Sequence, residues 1–246
     1  MNVHFSESPT MKNLEYTNGK TKFIGYLAGE DGGTGRRPGI VVFPEAFGLG
    51  DHAKKRADRL AKLGYVALAA DINGEGAMYN DMAQLGPLIQ SFYDDRSEWR
   101  SRARAALDAL CAQPGVDASR VAAIGYCFGG TTALELARSG ASLAAIATFH
   151  AGLIAELPED AGRIRAKVLI NHGADDPLVQ KELIDGVMTE LRRDKVDWQV
   201  IFYGNAVHSF TNPEADARQV PALKYDKKAD ERSWSVMREL FEEAFG

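Results

Sequence analysis

The hydrophobic positions of this chain follow two alternating spacings. Short apolar runs rich in β-branched residues recur along the sequence, and between them lie longer segments whose apolar residues repeat at helical spacing. This alternation is typical of βαβ units, in which helices cover buried parallel strands. Six runs predict the strands of a mostly parallel central sheet: Gly39–Phe43, Tyr65–Ala69, Arg120–Ile124, Leu143–Ala147, Lys167–Ile170 and Trp198–Phe202.

The segments between these runs predict helices. Within His52–Leu63, the residues Ala53, Ala57 and Leu60 fall on one face, as expected for a helix that packs on a sheet. The same spacing predicts three further helices: Glu98–Leu110, Val179–Arg192 and Lys228–Phe245. The pattern therefore predicts an α/β fold with helices on both faces of the sheet.

The region before the first parallel strand has a different pattern. Leu14 to Ala28 predicts an antiparallel hairpin that turns at Asn18–Gly19, because an Asn-Gly pair favours the tight turn between two strands. A glycine-rich loop, 29–39, follows it. The chain has no repeat, low-complexity tract or linker, so residues 1–246 are predicted to form one domain, with residues 1–13 as a candidate flexible extension.

The segment from Asn73 to Arg96 is the least regular part of the chain. It mixes Gly, Asn, Met, Tyr and Asp between the end of a strand and a helix. Long connections of this kind often form lids or pocket walls. A surface loop with one short helix explains the composition equally well, so the pattern leaves both alternatives open.

Composition and charge narrow the class of protein. The formal net charge is −5, and charges of both signs are interspersed along the chain. No basic patch suits a phosphate backbone, so we expect no nucleic-acid partner.

No apolar stretch reaches the roughly 18 residues of a spanning helix, and the first residues lack a signal-peptide pattern, so we expect a cytoplasmic protein that does not bind membranes. The two cysteines, Cys111 and Cys127, are too few for a disulfide framework.

The strongest chemical signal is the sequence around Cys127. A buried strand leads into Gly125–Gly130, which reads Gly-Tyr-Cys-Phe-Gly-Gly, and a helix follows. A nucleophile at such a strand-to-helix turn needs small neighbours on both sides. The positive end of the following helix favours a thiolate at Cys127, and the backbone N–H of Phe128 faces a developing oxyanion. A small buried cysteine beside a glycine turn is the alternative, and the strand–turn–helix context favours the nucleophile.

A thiol nucleophile also needs a base and an acid that orients the base. In folds with this turn, the chain order is nucleophile, acid, histidine. His208 follows the last predicted strand, where a base can reach the carboxyl edge of the sheet, whereas His150 and His172 end earlier strands and are interpreted as core or supporting histidines. Two adjacent candidates for the acid, Asp175 and Asp176, precede Val179, and either could instead cap the helix that begins there.

These segments together resemble the dienelactone hydrolase family of α/β-hydrolases. The resemblance extends from about Tyr16 to Phe245. It rests on five segments: Pro44–Gly48, Ala61–Ala67, Gly125–Gly130, Gly173–Val179 and Ala206–Phe210.

The resemblance implies a Cys–His–Asp triad of Cys127, His208 and Asp176. It implies that the N–H of Ala46 is the second oxyanion donor and that Glu45 lies near the cysteine and controls its ionisation. A carboxylate near a thiol can take its proton or repel its thiolate. Phe47 and Tyr126, which adjoin these groups in the sequence, are predicted to line the substrate pocket.

The chain departs from the family in its arginines. The enzyme that names the family binds the carboxylate of its substrate with arginines after the second parallel strand and beyond the catalytic histidine. The matching stretches here, Asp71–Glu75 and His208–Asn212, contain none. Arg96, Arg100 or Arg232 would have to approach the pocket from elsewhere, so dienelactone itself is not the expected substrate.

We therefore expect a hydrolase of small esters or lactones that needs no metal or organic cofactor, because no set of Cys, His and Asp has ligand spacing. The same thiolate could attack activated esters or phosphotriesters. A non-catalytic thiol-sensing or binding module on the same scaffold is the alternative from another class. The expected partner is a small-molecule substrate, and the expected state is a monomer or homodimer.

Overall fold

The computed structural model describes residues 11–30 and 35–246. Its strands are β1 (Met11–Thr17), β2 (Lys22–Ala28), β3 (Arg37–Phe43), β4 (Val66–Ala69), β5 (Val116–Tyr126), β6 (Ala145–Phe149), β7 (Lys167–Gly173) and β8 (Trp198–Tyr203). Its helices are α1 (Asp51–Ala61), α2 (Met82–Asp94), α3 (Arg96–Cys111), α4 (Phe128–Arg138), α5 (Lys181–Arg193) and α6 (Lys227–Phe245).

The strands form one sheet in the order β1-β2-β4-β3-β5-β6-β7-β8. The pairs β1/β2 and β2/β4 are antiparallel, and all other neighbours are parallel. All six predicted parallel strands are present, with ends that differ by up to four residues. This topology confirms the predicted α/β-hydrolase fold with a mostly parallel sheet and an N-terminal hairpin.

The hairpin begins earlier than predicted. Residues 11–13 belong to β1 and pair with β2, so they are not part of a flexible extension; residues 1–10 of that predicted extension lie outside the described residues. The turn uses residues 18–21, where Gly19 has a φ of 89° and the Asn18 side chain accepts the Thr21 N–H over 2.9 Å. Of the predicted loop 29–39, residues 31–34 also lie outside the description, and 37–39 open β3.

The sheet separates two hydrophobic cores. Successive residues of β3 alternate between them: Ile40 and Val42 contact the core beneath α1 and α6, and Val41 and Phe43 contact the core beneath α2, α3, α4 and α5. This follows from the pleat, which points neighbouring side chains to opposite faces. Burying one such side chain contributes about 1.5–3 kcal/mol, so two cores stabilise the sheet from both sides.

The irregular segment 73–96 contains a helix that is longer than the short helix of the surface-loop alternative. After a loop at 73–81, α2 runs for 13 residues. Asp81 caps its amino end, because the Asp81 carboxylate accepts the Ala83 N–H over 2.8 Å. Leu85 and Phe92 anchor α2 in the core. Gly86 and Pro87 interrupt its sequence pattern, which is why the helix was not predicted at this length.

In the described part of the chain, no helix is both long and apolar enough to cross a membrane. The candidate site residues lie in the connections that follow β3, β5, β7 and β8, at the carboxyl edge of the sheet. Ligands of open α/β sheets bind at this edge.

Candidate active site

Cys127 occupies a strained turn between β5 and α4. Its φ of 54° and ψ of −121° are rare for a residue with a side chain. A Cβ added to Gly125 would overlap the carbonyl of Gly129, and one added to Gly129 would overlap the carbonyls of Phe43 and Pro44. Only glycine therefore allows the strand, the turn and the helix to approach this closely, as the sequence predicted for a nucleophile turn.

The amino end of α4 lies directly after Cys127. The helix begins at Phe128, and the Gly130 N–H donates to the Cys127 carbonyl over 2.9 Å. Neither the Phe128 N–H nor the Ala46 N–H donates to another group within the described residues. Both amides therefore have a free donor beside the cysteine turn and the end of β3, and the helix dipole adds positive potential at the thiol.

His208 is held by Asp176. The Nδ1–H of His208 donates to Asp176 Oδ2 over 2.7 Å, and Asp176 Oδ1 accepts the Leu178 N–H over 2.9 Å. Both side chains are buried, whereas Asp175 is exposed. The fold thus brings Asp176, and not its neighbour, to the histidine.

Cys127 lies near the same histidine and acts on its titration. Burial lowers the pKa of His208, but the charge of the Cys127 thiolate and hydrogen bonds to Asp176 and Cys127 outweigh this effect and raise the pKa to about 10. An imidazolium that keeps its proton well above neutral pH can pair with a thiolate and can donate a proton.

Glu45 is a buried carboxylate beside these groups. Its Oε2 accepts the Asn212 Nδ2–H over 2.9 Å, and its Oε1 has no hydrogen-bond partner in the described residues. Burial raises the pKa of Glu45, although the hydrogen bond from Asn212 and the charge of Arg218 oppose the rise. Glu45 therefore takes up a proton more readily than an exposed glutamate does.

A cavity of about 360 Å³ opens next to Glu45. Phe47, Asn212 and Arg218 also line it, whereas Cys127 and His208 are not among its lining residues, so the role of Phe47 at the substrate stays a prediction. The guanidinium of Arg218 lies 3.5 Å from the centre of the Phe47 ring, as in a cation–π pair. Arg218 was not predicted from the sequence. There it is a single arginine between the loop that carries His208 and the last helix, with no motif around it.

The three arginines considered for the pocket lie elsewhere. Arg96 pairs with the fully buried Glu135 over 3.3 Å, and Arg100 binds both Glu135 and Asp160 over 2.7 Å. These two charges belong to an ion cluster behind α4, while Arg232 is exposed on α6. None of the three lines the cavity beside Glu45.

Tyr126 was predicted to line the substrate pocket, and this prediction is wrong. Its side chain is fully buried, stacks on Phe149 at 4.8 Å and meets the edge of His52. Tyr126 points to the core under α1 and α6, together with Ile124, because alternate residues of β5 share a face.

Tyr93 of α2 is a tyrosine that lies near Cys127. Burial raises its pKa, and the charge of Cys127 adds to the rise. The helix that carries Tyr93 therefore forms a wall near the cysteine, which supports the pocket-wall alternative for residues 73–96.

The two other histidines differ in their hydrogen bonding. His150 is fully buried, and both of its ring nitrogens have partners: the Cys127 N–H and the Thr211 hydroxyl. His172 is also buried, but its Nδ1 has no partner in the described residues. His150 thus contacts the backbone of Cys127, and Thr211, like Asn212, was not predicted to support the site.

Across the described ranges, no group of three or more His, Cys, Asp or Glu residues could hold a metal ion. The chemistry available to these residues is that of a thiol, a charged imidazole, a buried carboxylate and two backbone donors.

A model of the dienelactone hydrolase family matches residues 23–245. A solved structure designated m3DLH is 62% identical, covers 97% of this chain and 100% of its own, and superposes with a TM-score of 0.95. A dienelactone hydrolase-like promiscuous phosphotriesterase from metagenomic libraries is 59% identical with the same coverage and a TM-score of 0.94. A probable 2-oxo-3-(5-oxofuran-2-ylidene)propanoate lactonase of Bradyrhizobium sp. is 28% identical over 82% of this chain and 84% of its own.

Proposed function

This chain belongs to the dienelactone hydrolase family, and from that premise we propose that it hydrolyses small carboxylic esters or lactones with Cys127 as nucleophile. One observation carries the proposal. His208 is hydrogen-bonded to Asp176 and lies near enough to Cys127, in its strained strand-to-helix turn, for the cysteine to raise the pKa of the histidine to about 10. Cysteine, histidine and aspartate thus follow one another in the order that acyl-transfer chemistry requires of nucleophile, base and orienting acid.

In the first half-reaction, the Cys127 thiolate attacks the carbonyl carbon of the ester. The N–H groups of Phe128 and Ala46 stabilise the oxyanion, each by about 3–4 kcal/mol in the transition state. The tetrahedral intermediate then collapses, the C–O bond breaks, and the His208 imidazolium gives its proton to the leaving alkoxide. The products are an alcohol and a thioester on Cys127.

In the second half-reaction, the now neutral His208 takes a proton from water. The resulting hydroxide equivalent attacks the thioester, and the C–S bond breaks to release the carboxylic acid and restore the thiolate–imidazolium pair. Asp176 keeps the Nδ1 proton in place, so the Nε2 atom is the one that exchanges protons with substrate and water.

We assign Glu45 a role in controlling the nucleophile. Its buried carboxylate has one oxygen without a hydrogen-bond partner in the described residues, and burial raises its pKa. A neutral Glu45 would tolerate the thiolate, whereas a charged Glu45 would repel it.

The test is the pair Cys127→Ala and Cys111→Ala, assayed with a short-chain aryl ester and a lactone. Cys111 lies on α3, away from His208, so its replacement is the matched control. We expect Cys127→Ala to lose turnover by at least about 10⁴-fold, while Cys111→Ala retains it. Turnover by Cys127→Ala would refute the assignment. Alkylation of Cys127 in a wild-type protein that turns over no substrate would instead favour a non-catalytic thiol module.

A phosphotriester is the second candidate substrate, because a relative of 59% identity is described as a promiscuous phosphotriesterase. Here the thiolate attacks phosphorus, an aryloxide leaves, and water displaces the dialkyl phosphate from sulfur. The ratio of kcat/KM for an aryl ester to that for the matching aryl phosphotriester distinguishes the two. A ratio below one would make the phosphotriester the preferred substrate.

A further inference from the structure

His150 links the nucleophile turn to another part of the chain. It follows β6, is fully buried and has a φ of 42°. Its Nδ1 accepts the Cys127 N–H over 3.1 Å, a proton that this amide shares with the Phe149 carbonyl at 3.0 Å. Its Nε2 lies 2.8 Å from Thr211 Oγ1.

These two contacts fix the tautomer of His150. Because Nδ1 accepts a hydrogen bond, it carries no proton, so the ring proton is on Nε2 and is donated to the Thr211 hydroxyl. Burial lowers the pKa of His150 well below its ordinary value, and the charges of His208, His52 and Arg56 lower it further. The ring therefore stays neutral beside the His208 imidazolium, 5.2 Å away between ring centres.

Thr211 is itself held firmly. It follows His208 by three residues, and its carbonyl accepts a hydrogen bond from Arg56 Nη2 over 2.5 Å. The same guanidinium binds Asp230 of α6 over 2.7 Å. The loop that carries His208 is thus anchored to α1 and α6 at the residue that holds His150.

Backbone strain is concentrated at the same place. Cys127, His150 and Ser209 have φ angles of 54°, 42° and 59°, all in the left-handed region. Such conformations cost on the order of 1–3 kcal/mol each and persist only where surrounding contacts enforce them. A histidine that merely filled the core would need neither its own strained backbone nor a hydrogen bond to the strained residue.

We propose that His150 and Thr211 are positioning residues that join the Cys127 turn to the His208 loop and so set the geometry between sulfur and imidazole. This inference rests on the proposed function of Cys127 and His208. It predicts that loss of the Thr211 hydroxyl changes the rate of chemistry rather than the binding of substrate, because neither residue needs to touch the substrate.

The experiment compares three substitutions. Thr211→Val removes the hydroxyl at nearly constant volume, and Thr211→Ser keeps it. Thr148→Val is the matched control, because Thr148 is a fully buried threonine two residues before His150 whose hydroxyl has no partner in the described residues. The readouts are kcat, KM and melting temperature, together with the alkylation rate of Cys127 by iodoacetamide, measured on its own peptide with Cys111 as internal reference.

We expect Thr211→Val to lower kcat by about 10- to 100-fold with KM within about threefold of wild type, because a small misplacement of reacting groups slows chemistry strongly. Alkylation of Cys127 should slow at neutral pH while alkylation of Cys111 does not change, because a displaced imidazolium stabilises the thiolate less. Thr211→Ser should restore both rates, and Thr148→Val should leave both unchanged.

Three outcomes would overturn the inference: a Thr211→Val protein with wild-type kcat and alkylation rate, a Thr211→Ser protein as impaired as Thr211→Val, or equal losses in Thr211→Val and Thr148→Val that follow their melting temperatures. The alkylation rate needs no substrate. If the wild-type protein hydrolyses neither esters nor phosphotriesters, the proposed function fails while the link between Thr211 and Cys127 is still tested.

Discussion

Gly125 lies so close to Gly129 that a single methyl group between them would overlap the carbonyl of Gly129. The contact joins the end of β5 to the first turn of α4 and leaves Cys127 at the apex between them. The backbone of this turn can therefore form only because Gly125 and Gly129 have no side chains.

Gly125→Ala should therefore destabilise the protein by about 3 kcal/mol or more, because the new Cβ meets backbone atoms that cannot move without shifting α4. Urea unfolding measures the effect. Gly186→Ala is the control: Gly186 is an exposed residue of α5 with open space around its Cα, so alanine should stabilise the protein by about 0.5–1 kcal/mol. Equal stabilities of the two variants would contradict this account of the turn.

Asp176→Asn should reduce kcat by about 10²- to 10⁴-fold, because the amide no longer holds the Nδ1 proton of His208 in the productive tautomer. Asp175→Asn should stay within about twofold of wild type, since the exposed neighbour has no contact with the histidine. Steady-state kinetics with an activated ester compares the two variants. A larger loss in Asp175→Asn would transfer the acid to the neighbouring position.

The titration of His208 gives a test that depends on pH. Its pKa in the folded protein is raised from 6.5 to about 10, with the charge of Cys127 as the largest raising cause. Nitrogen NMR of histidine-labelled protein should show His208 protonated at neutral pH in the wild type and titrating at lower pH in Cys127→Ala.

The sign of the effect on stability follows from this shift. A raised pKa stabilises the folded state fully below pH 6.5, and the contribution is lost as the pH rises to about 10. Free thiols lose their protons above about pH 8.5. Above this pH, the free energy of unfolding of the wild type should therefore fall more steeply with pH than that of Cys127→Ala. Parallel curves for the two proteins would show that Cys127 does not hold the proton on His208.

The ion cluster behind α4 should stabilise the helix that begins at the nucleophile turn. Arg138 is fully buried and binds Glu190 over 2.9 and 2.5 Å and Glu135 over 2.8 Å. Arg138→Met leaves the buried carboxylate of Glu190 without its cation, while Glu135 keeps its pairs with Arg96 and Arg100, so the free energy of unfolding should fall by about 3–5 kcal/mol.

The surface pair of Arg104 and Asp108 on α3 is the control for Arg138. Both side chains are more than half exposed, so Arg104→Ala should change stability by no more than about 0.5 kcal/mol. Guanidinium unfolding of both variants makes the comparison, and similar losses would mean that burial of the cluster has no special effect.

Local sequence determined the parts of this protein that depend on short stretches of chain. The alternation of apolar runs predicted the parallel strands, and six consecutive residues, Gly125–Gly130, predicted the strand-to-helix turn at Cys127 because the glycines that its close approach requires lie within them. The period-two pattern of β5 also places Tyr126 on the same face as Ile124, in the core beneath α1 and α6, even though Tyr126 is next to Cys127 in the sequence.

Tertiary structure decided which distant side chains share the site. Arg96 and Arg100 pair with buried carboxylates, while Arg218, with no distinctive motif around it, reaches the cavity beside Glu45. Cys127 was predicted from the local sequence of its own turn. Its partners, Asp176, His208, His150 and Thr211, come from connections after three different strands. Contacts across such distances in sequence depend on how strands pair and helices pack, which no local pattern encodes.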